Sequence, residues 1–132
     1  MLGEIIAEYR GKVTGQRILD VEGPTMETSV SASGSIKGTQ VNINITYIAR
    51  PVSAGVLHGE GKGVIMAGAS EMATETGEGI GVFTSSGVKW RGSIFYRTSS
   101  TGRLASINNA IGVFEADVDT DGNFSLKSWE WK

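Results

Sequence analysis

Two short runs in this chain place a glycine at every second position. They are Gly59-Glu60-Gly61-Lys62-Gly63-Val64 and Gly77-Glu78-Gly79-Ile80-Gly81-Val82. In an extended chain, successive side chains point to opposite faces, so each run strips one face of a strand bare. A helix would scatter the same glycines around its surface and lose stability at each one. The surrounding chain must therefore be sheet. Residues 57–98 read as three consecutive antiparallel strands, separated by turn clusters at Ala67-Gly68-Ala69-Ser70 and Ser85-Ser86-Gly87.

The cleanest alternation lies just before them. Val41, Ile43, Ile45 and Tyr47 alternate with Asn42, Asn44, Thr46 and Ile48, so the first set is expected to face the core. A hairpin loop centred on Arg50–Gly55 would set Tyr47 opposite His58. The following turns would set Glu60 opposite Glu78, Ile80 opposite Arg91, and Ser93 opposite Asn109 across a turn at Ser99–Arg103. On this register the core face runs on through His58, Glu60, Glu78, Arg91 and Phe95. The outer face then collects the glycines with Trp90, Ile94 and Tyr96. A single bulge would invert everything downstream of it.

No segment sustains a helical apolar pattern; Glu4–Arg10 is the only short candidate. About eight strands joined by short turns leave no room for crossover helices. The expected fold is all-β, an antiparallel meander of about eight strands closing into a barrel, in one domain spanning 1–132; a β-sandwich is the alternative. With 12 basic and 14 acidic residues the formal charge is −2, which argues against an electrostatic nucleic-acid partner. No apolar run is long enough for a membrane helix, and the acidic start does not read as a signal peptide, so a cytoplasmic protein is expected. The chain has no cysteine.

Several motifs carry a resemblance: Gly15-Gln16-Arg17, Gly59-Glu60-Gly61-Lys62-Gly63, Arg91-Gly92-Ser93-Ile94-Phe95-Tyr96-Arg97-Thr98, Asn108, Phe114-Glu115, Asp121-Gly122-Asn123 and Trp129-Glu130-Trp131-Lys132. From Gly15 onward the chain resembles a family of uncharacterised all-β proteins of similar length. At the level of fold it also resembles small calycin-like barrels of the allene oxide cyclase type. The family resemblance implies no catalytic residues, and fold analogy does not supply function.

The expected core face brings His58, Glu60, Glu78 and Arg91 onto three adjacent strands. Opposed carboxylates repel unless a cation lies between them, and Arg91 is placed to bridge the pair. Tyr47, His58, Glu60, Glu78, Arg91, Phe95 and Asn109 are therefore the expected lining of an interior pocket for a small, partly apolar molecule. The alternatives are an isomerase- or cyclase-type enzyme using the same pocket, with a glutamate as base and Arg91 holding an oxyanion, or a purely structural oligomer. Strictly alternating glycines are not a dinucleotide fingerprint, and no cofactor is expected. One histidine and no cysteine make a zinc site unexpected. Asp117-Val118-Asp119-Thr120-Asp121-Gly122 opens like a calcium loop, but Ser128 stands where the closing acid belongs, so it reads as a hairpin turn. Trp90, Ile94 and Tyr96, set beside bare glycine, are the expected surface of a homo-oligomer.

Overall fold

The computed structural model describes residues 2–132. Eight strands follow in order: β1 Leu2–Asp20, β2 Thr25–Ile36, β3 Thr39–Ser53, β4 Val56–Ala67, β5 Glu71–Thr84, β6 Gly87–Arg97, β7 Ile111–Asp119 and β8 Asn123–Trp131. Each pairs antiparallel with its sequence neighbours, and β1 pairs with β8, so the meander closes into a barrel with no free edge. The segment 4–10, the one helical candidate, lies within the long first strand. No helix among the described residues is long and apolar enough to cross a membrane.

Turn chemistry sets the hairpins. Between β2 and β3, Lys37 and Gly38 both take positive φ (45° and 84°), as a two-residue turn matched to strand twist requires. Between β7 and β8, the Asp119 carboxylate accepts hydrogen bonds from the backbone N–H groups of Asp121 and Asn123 and from the Asn123 side chain. Those side-chain and backbone bonds from Asn123 hold the Asp119 pKa below its ordinary value. This carboxylate therefore organises a hairpin turn.

Val41, Ile43 and Ile45 point inward and are buried, while Asn42 and Asn44 are exposed, as the alternation requires. The β3–β4 register differs from expectation. Tyr47 lies opposite Gly61 rather than His58, because both strands run on to a tight turn at Ala54–Gly55, with an irregularity between Pro51 and Ser53. The displacement is an odd number of residues, so it exchanges the two faces of every strand from β4 to β7. The glycine face is the inside of the barrel. Trp90, Ile94 and Tyr96 fill it, at 7%, 3% and 0% exposure, and offer no surface to a neighbouring subunit.

One end of the barrel is closed by chain. Between β6 and β7, residues 98–110 fold inward around a short 3-10 turn at Ala105–Ile107, burying Leu104 and Ile107 completely. Glu71 ties this plug down. Its carboxylate accepts from Ser100 Oγ (2.6 Å), the Leu104 backbone N–H (3.0 Å) and Arg103 Nε (3.2 Å). Led by the Ser100 bond, these contacts pull its pKa down to about 2. The sequence alone suggests a tight Ser99–Arg103 turn there; the longer plug sets Ser93 opposite Val113 instead of Asn109. At the opposite end the inward-facing residues Val13, Leu57, Val88 and Val118 keep partial exposure, so that end is the mouth.

Candidate functional site

The glycines that define the sequence also define the interior space. Gly61 and Gly77 are paired across β4 and β5, and Gly59 and Gly79 are paired on the next inward rung. Four absent side chains leave room that the opposite wall only partly fills. Toward the mouth, the Trp90 indole lies flat on the bare backbone: a Cβ on Gly59 would stand 2.6 Å from Trp90 Cζ3, and one on Gly81 would stand 3.0 Å from Cδ2. Tyr47 meets the indole edge-on, with ring centroids 5.7 Å apart at 70°. Beneath the indole a cavity of about 70 Å3 remains, walled by Ile45, Ile94, Phe114, Ala116, Phe124 and Leu126.

One carboxyl from inside the barrel, that of Glu75, reaches this otherwise apolar cavity. Glu75 lies on the same face of β5 as Gly77 and Gly79, one inward position nearer the plug, and is 6% exposed. Tyr9 Oη donates a hydrogen bond to its Oε1 at 3.1 Å. Beside it, the Tyr96 and Ser128 hydroxyls bond each other at 2.7 Å. Burial drives the Glu75 pKa up to about 7, against the smaller lowering effect of the Tyr9 bond. Burial, reinforced by the Glu75 charge, also raises the Tyr9 and Tyr96 phenols, so both stay neutral. Burial likewise raises Tyr47. A desolvated carboxyl titrating near neutrality can accept, donate or exchange a proton.

Of the residues expected to line the pocket, Tyr47 does so. Glu60 and Glu78 contribute strand to its wall, but their carboxylates belong to the outer face. His58, Arg91 and Phe95 also face outward, with Phe95 53% exposed, and Asn109 sits in the plug with φ of 64°. The correction follows from the inverted hairpin: charges assigned to the core lie on the solvent side, where they need no buried partner. The cross-strand geometry itself holds. Glu60 is opposite Glu78, and Ile80 is opposite both His58 and Arg91. His58 Nε2 lies 3.3 Å from Glu78 Oε2, and one ligand atom from each of His58, Glu60 and Glu78 falls within 4.8 Å of the others, a set that could hold a divalent ion. Arg91 forms no ion pair with either glutamate.

Glu75 was missed. Its signal was parity: it shares a face with Gly77, Gly79 and Gly81, and on β6 the same face carries Trp90, Gly92, Ile94 and Tyr96 between Lys89, Arg91, Ser93, Phe95 and Arg97. With Lys89, Arg91 and Arg97 on one parity and Trp90, Ile94 and Tyr96 on the other, the balance names the inner face of β6 without any turn assignment, Phe95 being the exception.

No family model matches the sequence, and no curated protein is similar to it. The solved structures give a fold likeness. A protein of unknown function from Clostridium acetobutylicum ATCC 824 superposes with a TM-score of 0.80 at 14% identity, covering 98% of each chain. A conserved protein of unknown function from Rhodopseudomonas palustris superposes at 0.76 with 8% identity, covering 99% of each. The chain thus shares the architecture of eight-stranded barrels whose activity is unassigned.

Proposed function

We propose that the barrel binds a small, partly apolar molecule in its interior. The observation that carries this is the cavity between Trp90 and Glu75, kept open by paired glycines and faced by aromatic and aliphatic side chains around one carboxyl. Such a combination of apolar wall and sparse, placed polarity is what small-molecule sites use. A structural barrel would gain stability by filling the space.

The test is an NMR titration of the amides of Gly61 and Gly77 and the Trp90 indole N–H with alcohols, ketones and amines of four to seven non-hydrogen atoms. Binding should move these signals ahead of those on the outer face. Gly61→Ala places a methyl group in the cavity, 3.2 Å from Tyr47 Cβ, and should weaken every such response. Absence of any response, or one unchanged in Gly61→Ala, would overturn the reading. A second reading, an isomerase- or cyclase-type enzyme in the same cavity, draws support from Glu75, whose pKa near 7 suits a general acid or base. It requires a turnover that Glu75→Gln abolishes while the fold persists.

A further inference from the structure

Glu75 is the one acidic or basic residue buried among the described residues. Its neighbours inside the barrel include Tyr9 from β1, Gly63 from β4, with Ile43 of β3 beside it, and Tyr96 from β6, all neutral. Among the described residues, no lysine, arginine or histidine is seen in an ion pair with it. Buried carboxylates are ordinarily paired with a cation, and this one has none among the described residues. The hydrogen bond from Tyr9 engages one carboxylate oxygen, Oε1, and the Glu75 residue lines the cavity. Toward the mouth stand the faces and edges of Trp90, Tyr47 and Phe114, and aromatic faces favour cations over anions.

Resting on the reading of the barrel as a small-molecule site, we infer that its ligand is a compact organic ammonium ion. The nitrogen supplies the missing cation at Glu75, and the apolar body lies over Gly61 and Gly77 beneath the Trp90 indole. An anionic ligand would set a second negative charge beside an unpaired carboxyl and is disfavoured by the same geometry. A neutral ligand would leave the carboxyl to take up a proton instead. The barrel therefore selects by charge at Glu75 and by shape at the wall.

The experiment compares n-butylamine with 1-butanol, which have the same heavy-atom count, on the intact chain by NMR titration at pH 5.5 and pH 8. Butylamine is protonated at both pH values, so the change in its affinity reports the protein carboxyl. For a group titrating at about 7, the ionised fraction falls about 30-fold between pH 8 and pH 5.5, and butylamine affinity should fall by a similar factor. Butanol affinity should change far less. Glu75→Gln should remove the preference for butylamine over butanol at pH 8. The pH series on the unaltered chain decides the matter even if that variant folds poorly. If butanol binds as tightly as butylamine at pH 8, or butylamine affinity ignores pH, the charge inference is overturned and the pocket reading stands. If neither probe moves Gly61, Gly77 or Trp90, both fall together.

Discussion

Replacing Gly59 by Ala tests which face of the glycine strands is inside. In the barrel the new methyl carbon would stand 2.6 Å from Trp90 Cζ3 and 2.7 Å from Cη2, well inside contact distance. The indole cannot retreat cheaply, because it already rests on Gly81 and abuts Tyr47. Overpacking of this kind costs about 1–3 kcal/mol. For a chain of 132 residues, an unfolding entropy of about 2.1 cal/mol/K per residue converts that into a fall in Tm of about 4–11 °C. Gly15→Ala is the control: nothing lies within 4 Å of its added carbon, so the change should be neutral or stabilising by up to about 1 kcal/mol. Trp90→Phe removes the ring edge that Gly59→Ala strikes, so the double variant should be more stable than the two single losses sum to, by about 1 kcal/mol. Urea unfolding of all four variants measures each quantity. A Gly59→Ala protein as stable as its parent, or strictly additive losses, would mean that the glycines do not seat the indole.

Three further outcomes follow from the described contacts. Because the folded-state pKa of Glu75 is raised from 4.5 to about 7, the native state binds the proton more tightly, so this contribution is full below about pH 4.5 and is lost as the pH rises through 7. Urea unfolding should then show Glu75→Gln more stable than the parent at pH 8, by about 3 kcal/mol at most, and no such gain at pH 4.5. Glu71→Gln should speed hydrogen exchange at Leu104 and across 98–110 while the strands stay protected; in the parent the lowered pKa keeps that protection until the pH falls toward 2. Tyr96→Phe leaves the buried Ser128 hydroxyl without its partner, and chemical denaturation should register a loss of about 1–3 kcal/mol.

The barrel and much of its pairing were legible because alternation and turn residues are local. Val41, Ile43, Ile45 and Tyr47 named the inner face of β3, and the Gly68 and Ser85-Ser86 turns gave Glu60–Glu78 and Ile80–Arg91 correctly. The site was not legible, because one hairpin decides which face of the four strands β4 to β7 is inside. Proline in Arg50-Pro51-Val52-Ser53 reads as loop, yet the strand continues through Ser53 with an irregularity, and the odd offset moved His58, Glu60, Glu78 and Arg91 from core to solvent. Glycine gave no warning, since a residue without a side chain is equally plausible on either face. The longer plug at 98–110 displaced the next pairing by four, an even number, and so left the faces unchanged.

Seven of the eight ladders join strands that are neighbours along the chain; the ladder between β1 and β8 does not. It pairs Arg10 with Ser125, 115 positions later, and is the stitch that turns a ribbon into a tube. If the rest of the chain were unfolded, bringing those ends together would cost about 3 kcal/mol more in loop entropy than closing a four-residue turn. Hairpins therefore zip first, and each one already assembled shortens the gap that remains. The seam closes last, after the strip has curled. Until it does, both outer strands present unpaired backbone, and a nascent chain is then most exposed to pairing with the wrong partner.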